Sequence, residues 1–260
     1  MLPAITDNPL KLSRTNLRRW GRAIAAAALA LLAFHPQSRA ADFSDFFELR
    51  KPGHLSLTVF ASGFGSETYG TTHAGFQLEQ SLTRYVSLVG RATAYQIYQG
   101  EGYNSPFVTE ATGTRTFERL QGGVDLHPLE GVSLTVLGGQ DVGNNNAPVI
   151  EGDFSGWLFL HSHHPIDLSF SSTHFYSNET TSSLIDARSI VYSTGKWILL
   201  AGGGGAIWGG GSEGKPNGQG GPDLGVFLRE LHTSIDLQSG YGSSHLYGLL
   251  SVATTFGWDE

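Results

Sequence analysis

Residues 119–136 read RLQGGVDLHPLEGVSLTV, and the period of this stretch is two. Leu120, Val124 and Leu126 alternate with Arg119, Gln121 and Asp125. After the short connector His127–Gly131, Val132, Leu134 and Val136 alternate with Ser133 and Thr135. Successive side chains of a strand point to opposite faces, so strict alternation sorts apolar and polar residues onto separate faces. A helix would need apolar residues three and four apart. Two alternating runs joined by a connector containing Pro128 and Gly131 predict a β-hairpin with one apolar and one charged or polar face.

The pattern continues both ways. Upstream, Leu55, Leu57 and Val59 alternate with Ser56 and Thr58, Phe76 and Leu78 with Gln77 and Glu79, and Leu88 and Ala92 with Ser87 and Arg91. Downstream, Ile150 and Phe154 alternate with Glu151 and Asp153, Ile166 and Leu168 with Asp167, Ile185 and Ala187 with Asp186 and Arg188, Leu224 with Asp223, Ile235 and Leu237 with Asp236, and Leu250 and Val252 with Ser251. Residues 197–208 are apolar or Gly on both faces, so their strand is ambiguous. Counted together, twelve segments are expected. Short connectors (Ser81–Tyr85, His127–Gly131, His161–Pro165, Ser193–Lys196, Arg229–Leu231) alternate with longer Gly- and Asn-rich ones, of which Gly100–Arg115 and Gly209–Pro222 are the longest.

Composition narrows the chemistry. Of 260 residues, 15% are charged, 35 are Gly and none is Cys. A chain without Cys has no disulfide, thiolate metal site or Cys nucleophile. Residues 1–40 hold six basic groups, one acid and the apolar run Ala23–Phe34 before Ser38-Arg39-Ala40. That run is shorter than the roughly 20 residues a membrane-spanning helix needs, and the three-part layout reads as a signal peptide, 1–40. The remainder carries 10 basic against 22 acidic groups, a charge of −12, which argues against a nucleic-acid partner. Residues 41–53, with Phe43, Phe46 and Phe47, form an N-terminal periplasmic segment or plug, and 54–260 the principal domain.

Over residues 54–258 the chain resembles the bacterial outer-membrane β-barrels as a class, on pattern rather than on a catalytic motif. Val252, Thr254, Phe256 and Trp258 resemble the aromatic-ended final strand of that class, although Asp259 and Glu260 follow it. The resemblance implies an all-β, closed antiparallel transmembrane barrel of about 12 strands, with short periplasmic turns and longer extracellular loops. It also implies a Gram-negative outer-membrane location, contact with outer-membrane lipid and lipopolysaccharide, and passage through the barrel-assembly machinery. Lipid cannot hydrogen-bond open strand edges, which is the physical reason for closure. The alternative from the same alternation is a soluble β-sandwich.

In the proposed register the polar face lines the lumen, with Arg91, Arg119 and Arg188 at similar depth and Glu79, Asp153 and Asp186 near them. These six are the candidate pore-lining residues. The expected function is a narrow, non-enzymatic channel for small polar or saccharide solutes, without a cofactor. The alternatives are a lipid- or glycan-modifying enzyme and a blocked structural or secretion-accessory barrel. The weak catalytic candidates are Ser172 and His174, two residues apart on the lipid-facing side of one strand. Their order is the reverse of the His-x-Ser of outer-membrane lipid hydrolases, and no third residue orients them. The weak metal candidates are His161, His163 and His164, in a tight turn before Pro165.

Overall fold

The computed structural model describes residues 51–66, 69–99, 113–143, 146–158, 165–177, 179–210, 217–242 and 245–258. The segment 1–40, most of 41–53 and the candidates His161, His163 and His164 lie outside them.

Twelve strands follow one another: β1 (Leu55–Ser66), β2 (Tyr69–Ser81), β3 (Val86–Gln99), β4 (Gly113–Leu129), β5 (Val132–Val142), β6 (Ala147–Leu158), β7 (Ile166–Phe175), β8 (Thr180–Ser193), β9 (Trp197–Gly210), β10 (Asn217–Leu228), β11 (Thr233–Gly242) and β12 (His245–Trp258). Each pairs antiparallel with the next, and β1 pairs with β12 from Leu55↔Trp258 to Ser66↔Tyr247, so the sheet is a closed barrel. Closure gives every strand two hydrogen-bonded neighbours, the condition a sheet must meet in hydrocarbon. The even strand number brings Leu55 and Trp258 to the same end, called here the terminal end; the other is the loop end.

The alternation is realised as read. Leu120, Val124 and Leu126 are exposed on the outer wall, whereas Arg119, Gln121 and Asp125 are buried inside. Phe76, Leu88, Leu134, Val136, Ile150, Phe170, Leu250 and Val252 extend the outer belt around the barrel. Tyr98, Tyr176 and Tyr241 border it at the loop end, and Tyr85, Trp197 and Phe256 at the terminal end, where interfacial aromatic girdles sit.

The strands run further than the connectors suggested. Glu67 and Thr68 alone separate β1 from β2, and residues 143–146 separate β5 from β6. At the loop end, Thr114, Thr116 and Glu118 continue the outer face of β4 with polar side chains beyond the apolar belt. The ambiguous stretch 197–208 is strand, paired along its length to β8 and β10. Its two faces look alike because Ile198 and Leu200 are buried against Ile190 in an apolar cluster, while Gly202–Gly205 carry no side chain. A Cβ on Gly202 would sit 2.0 Å from the Ala187 carbonyl oxygen, and one on Gly123 would sit 1.9 Å from that of Val136. These glycines let the sheet bend sharply at β8–β9 and at β4–β5. Gly123→Val or Gly202→Val is expected to abolish the heat-modifiable band of the folded barrel on unboiled detergent gels. A wild-type gel shift in both would show that the bends tolerate a side chain.

Candidate functional site

The lumen is where the inward side chains meet, and its charges fall into three groups. The first lies under the β4–β5 bend. Arg91 on β3 donates to Glu151 on β6, lies 3.3 Å from Asp153 on β6, and is oriented by Gln77, which accepts from Nε at 2.9 Å. Gln121 Nε2 donates to the other Glu151 oxygen at 3.1 Å. Next to this group, Arg119 makes a bidentate pair with Asp141, at 2.7 and 3.0 Å. Its guanidinium carbon lies 5.0 Å from the ring centres of both Tyr95 and Phe175. The planar guanidinium is suited to pairing edge-on with a carboxylate while its faces stack on aromatic rings.

The second group gathers around Arg188, beside the close approach of β8 and β9 at Gly202. Arg188 on β8 contacts Asp167 on β7 at 2.7 Å, Asp223 on β10 at 3.9 Å and Asp236 on β11. Asp186 accepts from Gln238 at 3.0 Å, and Tyr247 reaches Gln238 at 3.4 Å. Arg91 and Arg188 therefore play the same part, each joining strands three apart across a bend.

The third group sits toward the terminal end: Glu79, Asp125 and His127, with Ser133 and Thr135 donating to Asp125 at 2.6 and 3.1 Å. Away from it, Ile190, Ile198 and Leu200 pack with Trp157 and Phe227 into an apolar cluster.

All six sequence-predicted lumen residues are on the inward face, but they are not one ring. Arg91 and Asp153 come together, Arg119 and Arg188 take other partners, and Glu79 belongs to the terminal-end group. The partners Asp141, Glu151 and Asp223 were not among the six. Asp141 lies near the loop end of β5 opposite Arg119, and its parity with Ser133 and Thr135 along the strand is the signal that finds it.

Ser172 and His174 face outward as expected. Ser172 Oγ lies 3.0 Å from Ser183 Oγ, and His174 Nδ1 lies 3.0 Å from Thr181 Oγ1. Each is thus engaged with its cross-strand neighbour on β8, which is a lateral polar contact rather than a nucleophile and its base. Ser172→Ala and His174→Ala are expected to leave phospholipid turnover by the refolded protein at the level of protein-free micelles, as in wild type. Deacylation lost in both variants would make them catalytic.

Loop-ward of Arg91 and Glu151 the lumen opens into a cavity of about 260 Å³. Phe60, Phe64, Tyr69, His73 and Tyr95 line its β1–β3 side together with the hydroxyls of Ser62, Thr71 and Thr93; Ser171, Thr173 and Ser182 line the β7–β8 side with Phe175 and Leu184. The rings are in series: Phe60–His73 at 6.2 Å, His73–Tyr95 at 5.2 Å and Tyr95–Phe117 at 4.9 Å between centres.

No family model matches the chain, and no curated protein matches it significantly. Among solved structures, the COG4313 outer membrane channel from Pseudomonas putida F1 is similar over 83% of this chain and 100% of its own, with a TM-score of 0.50 and 11% identity. The translocator domain of the autotransporter NalP from Neisseria meningitidis gives a TM-score of 0.43 at 7% identity, over 92% of this chain and 97% of its own. The CymD monoaromatic hydrocarbon channel gives 0.42 at 8%, over 81% and 89%. What is shared is the fold. The chain is a closed antiparallel β-barrel with an exposed apolar belt on its outer wall.

Proposed function

We propose that the barrel is a narrow channel for small polar solutes, with saccharides as the class its lumen suits. The observation that carries this reading is the mixed lining of the cavity, where aromatic rings such as Tyr95 and Phe175 stand among the hydroxyls of Thr71, Thr93, Ser171 and Thr173. A sugar ring has an apolar face of C–H bonds and a rim of hydroxyls. Such a solute stacks on aromatic rings while hydrogen-bonding to Ser, Thr and charged groups, as a mixed pocket with a few placed polar groups requires. Arg91, Arg119 and Glu151 close the cavity toward the terminal end. The ion pairs there also favour a second reading, a lumen held shut by its own charges.

Planar-bilayer conductance separates the two. A conducting pore whose current is reduced by mono- or disaccharides, with weaker block in Tyr95→Ala, is the expected result. Conductance indifferent to sugars would remove saccharides from the reading, and no conductance would favour the closed barrel. The function is non-enzymatic in this proposal.

A further inference from the structure

We propose that Glu79, Asp125 and His127 form a divalent metal site, best suited to Zn²⁺, at the terminal-end side of the lumen. Asp125 and His127 are two residues apart on the inner face of β4, and Glu79 reaches them from β2. His127 Nε2 lies 3.2 Å from Asp125 Oδ2 and 3.7 Å from Glu79 Oε1, and the three ligand atoms lie within 4.8 Å of one another. Zn²⁺ takes His nitrogen and carboxylate oxygen at about 2.0–2.2 Å in a tetrahedron, which sets its ligand atoms roughly 3.3–3.6 Å apart. The two separations centred on the imidazole bracket that edge. One histidine and two carboxylates is a donor set in which the fourth position stays open to water.

The surroundings hold the ligands in place. Asp125 Oδ1 accepts from both Ser133 and Thr135, which turns Oδ2 toward His127. The His127 backbone N–H donates to the Tyr85 carbonyl at 2.8 Å, and the β4–β5 register shifts between Leu126 and Leu129, so the imidazole is aimed by a bulge. Glu79 and Asp125 are 2% and 4% exposed. The other lumen groups set carboxylates against arginine; here two carboxylates are set against a histidine, the one basic side chain that also ligates metals when neutral. The site is independent of the channel reading.

The test uses the full mature chain, refolded in detergent and stripped with chelator, in a background with His161, His163 and His164 all changed to Ala so that these three cannot bind. Calorimetric titration with Zn²⁺ is expected to give one equivalent, and Co²⁺ the visible absorption of a tetrahedral centre. His127→Ala and the pair Glu79→Gln/Asp125→Asn should each abolish both. Ser133→Ala with Thr135→Ala should weaken binding by about 10–100-fold, the usual cost of losing groups that orient a ligand. The heat-modifiable gel shift verifies folding of each variant, and His127→Gln replaces His127→Ala if the latter does not fold. No Zn²⁺ bound by the background protein, or equal binding after loss of His127, overturns the proposal.

Discussion

Replacing Arg119 with methionine is expected to lower the stability of the barrel by about 3–5 kcal/mol, the cost of removing one member of a buried ion pair. Arg119 and Asp141 are each 2% exposed, and the guanidinium binds both carboxylate oxygens. Without it, the Asp141 charge stays inside the wall with neither its partner nor water. The substitution also removes the cation between Tyr95 and Phe175, a contact strengthened by the absence of water. The double change Arg119→Met/Asp141→Leu is expected to recover most of the loss, because an apolar pair of similar volume does not leave a charge stranded. Urea unfolding of the refolded protein in detergent, compared across the wild type, both single variants and the double, measures the coupling. Single variants that unfold at the wild-type midpoint would show that the pair contributes nothing to stability.

The legibility of this chain divides by range. Which face of a strand carries the apolar belt is readable outside β9, because the period of two is imposed residue by residue: Leu120 and Val124 out, Arg119 and Gln121 in. Strand ends were less readable. The apolar belt does not continue along the loop end of β4, so Thr114 reads as part of the connector Gly100–Arg115. The charge partners were the least readable. Arg91 on β3 meets Glu151 on β6, sixty residues later, and Arg188 on β8 meets Asp236 on β11, contacts between strands that are not neighbours in the sheet. His127 was hidden for a related reason: it sits where a bulge extends the strand into what reads as a turn.

The inward charges carry the remaining expectation, which is cation preference. Among the described residues the inward register holds nine carboxylates, namely Glu79, Asp125, Asp141, Glu151, Asp153, Asp167, Asp186, Asp223 and Asp236, against the guanidiniums of Arg91, Arg119 and Arg188 and, at the loop end, Arg115. A narrow path between low-dielectric walls concentrates the field of such an excess on a passing ion. Reversal potentials across a KCl gradient in planar bilayers should therefore report K⁺ over Cl⁻. The preference should be strong near 0.01 M and largely gone near 1 M, as the screening length falls from about 30 Å to about 3 Å. Position inside the lumen grades the variants. Asp153 and Asp236 keep 25% and 22% of their side chains accessible, whereas Asp141 keeps 4%. Asp153→Asn with Asp236→Asn should thus shift the reversal potential toward zero, and Arg91→Gln with Arg188→Gln should shift it further toward the K⁺ limit. Asp141→Asn, sealed against Arg119, should change stability and leave selectivity in place. A wild-type preference for Cl⁻ would mean that ions pass along the Arg91 and Arg188 edges rather than past the sum of the lumen charge. The Arg91→Gln variant measured alone would then abolish the preference instead of sharpening it.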